Sequence, residues 1–199
     1  MIGKTMTLAF LLGFAACGSA SESDPCALEE GNYLRDADFA LEAESSRSRH
    51  WTGKQHVGEK SFDVTVVDGV LTIERIGTQP WFLYRQRLDV TDLAGQRVAF
   101  TAWLRLVEGG TERIRGVGQA GGLKLAAMSK GNAKFRVERR LAAVEPRQKW
   151  QKLQIIAKLP QDTDTLELSF LHKSNGVLEV REPSLQRVHP SAEACVPTP

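Results

Sequence analysis

The chain is predicted to fold as an all-β protein, a β-sandwich or jelly roll, on three observations. Apolar and polar residues alternate with period two in several segments, turn dipeptides recur between those segments, and no convincing amphipathic helix stands out. Many short strands with regular turns are the pattern of a sandwich or jelly roll.

Each segment contributes in order. DVTVVDGVLTIERI reads as a hairpin, two β-branched runs joined through Asp68-Gly69. QPWFLYRQRLDV carries large residues on both parities, Trp81 and Leu83 against Phe82 and Tyr84, so at least one aromatic faces away from the core. In RVAFTAWLRLV, Val98, Phe100, Ala102, Leu104 and Leu106 share one face, with Thr101, Trp103 and Arg105 on the other. KFRVERR alternates too, with Phe135 and Val137 inward and Lys134, Arg136 and Arg140 outward. WQKLQIIAKLP places Leu153, Ile155, Ala157 and Leu159 inward and ends at Pro160; TLELSFL and GVLEV follow at similar spacing.

The N-terminus carries a different signal. Lys4 precedes the apolar run Leu8 to Ala16, which is short of the ~20 residues a membrane span needs. A positive start, a short apolar middle and small residues at its end read as a signal peptide over 1–16. Phe14-Ala15-Ala16-Cys17 resembles the lipobox of bacterial lipoproteins. That resemblance implies cleavage before Cys17, acylation of Cys17 by chains such as palmitate, and a lipid bilayer as a partner. It places the protein in the bacterial cell envelope, and Gly18 rather than Asp after the cysteine favours the outer membrane. A plain secretory signal with an incidental Cys17 is the alternative. With Cys17 lipidated, Cys26 and Cys195 remain as a pair, free to form a disulfide in an oxidising compartment or to stay as two thiols. A polar tether (17–30) then leads into one domain (31–190) and a tail (191–199) tied back by Cys195.

Asn32-Tyr33-Leu34 with Asp38-Phe39, then GVLTI, TAWLRL, KWQKLQIIAKLP and GVLEVREPSL, resemble in order the opening and later strands of galactose-binding-like jelly rolls, over about residues 31–188. The resemblance implies that the first and last strands lie side by side, bringing Cys26 and Cys195 together. It also implies kinship with carbohydrate-binding modules, in which strands matching those of Trp81 and Trp103 line one concave face. Many members hold calcium through acids after the opening Phe and in a closing Asp pair. Ala40 and Arg181-Glu182 stand at those positions, so no metal is expected.

No nucleophile motif, metal-ligand spacing or phosphate loop is present, and the four histidines are scattered, so neither an enzyme nor a cofactor is expected. No carboxylate pair placed for glycoside hydrolysis stands out in the sequence either. What remains is aromatic residues and charge. Residues 113–152 carry eleven Lys and Arg against Glu138 and Glu145, in a chain whose net charge is only +2. Such a segment either focuses a field on polyanions or pairs with the acidic remainder. In an envelope the polyanions are acidic polysaccharide, lipopolysaccharide phosphate or an anionic membrane surface; nucleic acid is not expected. The expected ligand-binding residues are Trp81, Tyr84, Arg85, Trp103 and Arg105, with Arg136 and Arg140 as a basic edge. Trp150 is expected to be structural. The expected ligand is a glycan, and the alternative is a partner protein docked in an envelope complex.

Overall fold

A computed structural model describes residues 27–40, 50–107, 120–141 and 149–189. The signal peptide, Cys17, Cys26 and Cys195 lie outside the described residues. The first of two antiparallel sheets has the order β1-β4-β9-β6-β7. Its strands are β1 (Thr52–Gln55), β4 (Phe82–Asp89), β6 (Gly121–Ser129), β7 (Asn132–Arg140) and β9 (Thr165–His172). The second has the order β2-β3-β10-β5-β8. It comprises β2 (Phe62–Val67), β3 (Val70–Arg75), β5 (Arg97–Val107), β8 (Gln151–Lys158) and β10 (Val177–Arg187). The chain is therefore the all-β sandwich that its alternation predicts.

One apolar layer lies between the sheets. From the second sheet come Val98, Phe100, Ala102 and Leu104 of β5 with Leu153, Ile155 and Ala157 of β8, on the predicted parity. The first sheet answers with Leu123 and Leu125 of β6, Leu166, Leu168 and Phe170 of β9, and Phe82, Tyr84 and Leu88 of β4. Full burial of one Leu or Phe contributes roughly 1.5–3 kcal/mol, so these residues fix the register of every strand they sit on.

Two hairpins turn through paired left-handed residues. Asp68 and Gly69 have φ of 50° and 73°, and Lys130 and Gly131 have 50° and 79°. Positive φ at both central residues is the type I′ geometry that matches strand twist. Asp-Gly announces itself in the sequence; Lys-Gly does not.

The opening motif has a physical function. The Asn32 carboxamide oxygen accepts from Leu34 N (3.1 Å) and from Leu185 N (2.9 Å), and its Nδ2 donates to Pro183 O (3.1 Å). Leu28 bridges Val188, and Tyr33 N donates to Leu185 O. The beginning and end of the described chain thus run antiparallel. Pro183 sits where β10 shifts register against β5, a position that tolerates a missing N–H.

The sandwich also buries two ionisable groups. Arg75 is fully buried, packs its guanidinium 4.5 Å from the Phe62 ring, and donates to the carbonyls of Ser174, Gly77, Gln79 and Pro80. His172, also fully buried, accepts from Ser174 N at Nδ1, which leaves Nε2–H to donate to Gly176 O at 3.0 Å. Burial pushes its pKa down to about 4, the Gly176 carbonyl opposes that shift, and the charge of Arg75 adds to it.

Two outcomes follow. Arg75→Met keeps the bulk but leaves four carbonyls without their donor, and is expected to cost about 2–4 kcal/mol in urea denaturation. For His172, the unfolded chain takes up a proton near pH 6.5 while the folded chain stays neutral down to about pH 4. Stability is therefore full above pH 6.5 and falls on acidification through that window, by about 1.4 kcal/mol per pH unit at most. Melting curves between pH 7 and 5 should show that slope in the natural chain and lose it in His172→Gln.

Candidate functional site

The outer face of the first sheet carries a groove of about 420 Å³. Its composition follows from parity. With Phe82, Tyr84 and Leu88 directed inward, Leu83, Arg85 and Arg87 of β4 face out, and Trp81 stands half-buried on the same parity at the strand's start. In register, one row across the sheet reads Lys54, Leu83, Leu171, Gly122 and Arg140. The next reads Thr52, Arg85, Ser169, Lys124 and Glu138, and a third reads Arg87, Glu167, Ala126 and Arg136. A Cβ at Gly122 would collide with the Arg139 carbonyl, so glycine lets β7 lie close against β6 there.

The groove has two chemical halves. Trp81, Leu83 and Leu171 form an apolar end, beside Lys54 and Lys173. Arg85, Arg87, Lys124 and Arg136 make the other half cationic, around Glu138 and Glu167. Glu167 Oε2 accepts from Arg85 Nη1 at 2.6 Å and from Arg87 Nε at 2.9 Å. Burial alone would raise this carboxyl, but the Arg87 hydrogen bond and the two arginine charges outweigh it and hold Glu167 below the usual carboxylate range. Arg140 does not line the groove; its Nε donates to Glu138 Oε1 at 2.6 Å and so fixes a carboxylate that does.

The structure divides the predicted ligand-binding residues. Trp81, Arg85 and Arg136 come together in this groove, with Arg140 behind them. Trp103 and Arg105 do not join them, because β4 and β5 belong to different sheets and their outer faces point in opposite directions. The expectation that both strands line one concave face is therefore corrected. Tyr84 is corrected too: it is 5 % exposed and stacks on Trp51 in the core, with centroids 5.9 Å apart. Trp150, expected to be structural, stands half-buried on the outer side with Trp103. The Arg105 guanidinium lies 4.6 Å from its ring and that of Arg181 4.4 Å, while Arg105 also pairs with Glu179. Arg181 reaches the Trp103 ring at 5.7 Å.

Sequence reasoning missed Lys124, Glu167, Leu171 and Lys173. Their signal was present as the outward parity of GGLKLAAMS and TLELSFLHK, once β6 and β9 are known to be neighbours. It also missed that two carboxylates, Glu138 and Glu167, line one groove. Among the described residues no group of three His, Cys, Asp or Glu could hold a metal ion, and no helix is long and apolar enough to cross a membrane.

No protein-family model matches the chain, and no curated protein matches it significantly. Solved structures do. The enzymatically active domain of bacteriophage CBA120 tailspike protein 4 superimposes with a TM-score of 0.60 at 11% identity, over 79% of this chain and 21% of that one. A CBM4 carbohydrate-binding module gives a TM-score of 0.53 at 15% identity, over 77% of this chain and 99% of that one. The C-terminal family 22 carbohydrate binding module of Clostridium thermocellum Xyn10B gives 0.52 at 15% identity, over 79% and 94%. This chain spans about a fifth of the tailspike protein but nearly the full length of the two modules. At these identities the likeness shows the fold: a jelly-roll β-sandwich of the kind that carbohydrate-binding modules share.

Proposed function

We propose that this protein is a non-catalytic glycan-binding module, held at the bacterial outer membrane by acyl chains on Cys17, that takes a sugar chain on the outer face of its first sheet. The observation that carries this reading is the groove itself. The half-buried Trp81 indole, backed by Leu83 and Leu171, offers apolar surface for a sugar ring, and cationic side chains beside it supply hydrogen-bond donors. The likeness to carbohydrate-binding modules supports it. Each carboxylate of the groove is held by arginine, Glu167 by Arg85 and Arg87 and Glu138 by Arg140. Glu138 and Glu167 stand two strands and one row apart, roughly 12 Å at the backbone.

The anchoring part of the proposal rests on the lipobox-like Phe14–Cys17 stretch, and that of a Cys26–Cys195 disulfide on the adjacent chain ends at Leu28 and Val188. A second reading, docking of an envelope protein, is favoured by a different observation. Trp103, Trp150, Arg105 and Arg181 cluster on the opposite face, and Trp and Arg dominate the energetics of protein interfaces.

In affinity electrophoresis through polysaccharide gels, Trp81→Ala is expected to abolish retardation by the bound glycan while Trp103→Ala leaves it intact. The reverse pattern would move the site to the second sheet. Radiolabelled palmitate should enter the natural chain and not Cys17→Ser. Cys26 and Cys195 should resist alkylation until the protein is reduced; labelling without reductant would show two free thiols.

A further inference from the structure

We propose, resting on the glycan-binding reading above, that the groove selects acidic glycans, and that it seats the anionic group of a sugar over Ser169, between Arg85 and Lys124. Three observations converge on that row.

The first is charge. Six cations line the groove against two carboxylates, and each carboxylate is already held by arginine: Glu167 by Arg85 and Arg87, Glu138 by Arg140. Among the described residues, Lys54, Lys124, Arg136 and Lys173 make no ion pair, so the groove keeps an uncompensated positive field. A neutral polysaccharide has no use for it, whereas an anionic one is drawn in and held.

The second is register. Ser169 lies directly opposite Arg85 on one side and Lys124 on the other. Each neighbour is about 5 Å away at the backbone, so two long cationic arms flank a short side chain. An anion above Ser169 lies within reach of both arms, and Arg136, diagonal to Lys124 across β6 and β7, extends the same cluster.

The third is unmet hydrogen bonding. The Ser169 hydroxyl is fully buried without a partner among the described residues, and so is Nε of the neighbouring Arg85. Buried polar groups in native proteins nearly always find partners. An anion seated on this row supplies an acceptor for these two unpartnered donors. The apolar end then explains why the anion is carried by a sugar: Trp81, Leu83 and Leu171 offer a ring platform one to two rows from this subsite.

The test uses the full-length protein in mild detergent, in affinity gels containing dextran, dextran sulfate, polygalacturonate or polyglutamate. The inference expects retardation by polygalacturonate or dextran sulfate, the two arms separating carboxylate from sulfate, and none by dextran. Retardation should weaken about tenfold in Lys124→Gln and again in Arg136→Gln, since one charge-assisted contact is lost each time, and should fall with added salt. Both side chains reach solvent, and unchanged melting temperatures would verify that the variants are folded. Binding to a neutral glycan, insensitive to salt and to Lys124→Gln, would overturn the acidic selectivity and leave the glycan reading standing. Equal retardation by polyglutamate would overturn it as well, reducing the groove to a charged surface with no use for sugar. No retardation by any glycan would overturn the glycan reading itself.

Discussion

The single apolar layer between the two sheets is the constraint on which the rest of this molecule depends. Side chains on a strand alternate, so each residue sent into that layer fixes the outward direction of its neighbours. Burying Phe82, Tyr84 and Leu88 turns Leu83, Arg85 and Arg87 outward, and burying Leu166, Leu168 and Phe170 turns out Glu167, Ser169 and Leu171. The groove is the complement of the core. A slip of one residue in β4 or β9 would exchange leucines and phenylalanines for charges, so the packing that stabilises the fold also holds the groove's geometry.

The molecule treats its buried and exposed charges in opposite ways. Arg75 is enclosed with a ring of backbone carbonyls and the face of Phe62, and His172 is kept neutral beside it. Burying unpaired charge is costly, and these groups meet that cost with neutral partners. On the outer face of the first sheet, where water screens repulsion, Lys54, Lys124, Arg136 and Lys173 stand without a carboxylate partner among the described residues. On the outer face of the second sheet, the guanidinium groups of Arg105 and Arg181 lie against indoles and Arg105 pairs with Glu179, while Lys152 and Lys158 face outward with no ion pair among the described residues.

Much of the fold was legible in the chain. The parity of RVAFTAWLRLV and KWQKLQIIAKLP, the Asp68-Gly69 turn and the opening Asn32 all act as their residue types suggest, because each depends on nearby chemistry or on one strand's alternation. The candidate site was legible in part. WFLY carries large apolar residues on both parities, so sequence alone could not tell that Tyr84 joins the core stack while Trp81 faces out; the partner strand β9 decides that. Placing β4 and β5 in different sheets likewise depends on pairings between distant segments. The fold itself does not fix function, as it is shared by carbohydrate-binding modules and by an enzyme's domain.

The chain's four tryptophans allow one direct test, since they report on separate places: Trp51 in the core, Trp81 at the groove, Trp103 and Trp150 on the opposite face. The measurement is a ¹⁵N-labelled titration with galacturonate oligosaccharides, following the four indole N–H resonances. The Trp81 resonance is expected to shift with ligand while those of Trp103, Trp150 and Trp51 stay in place. Movement of Trp103 and Trp150 with Trp81 unchanged would contradict it and place binding on the second sheet.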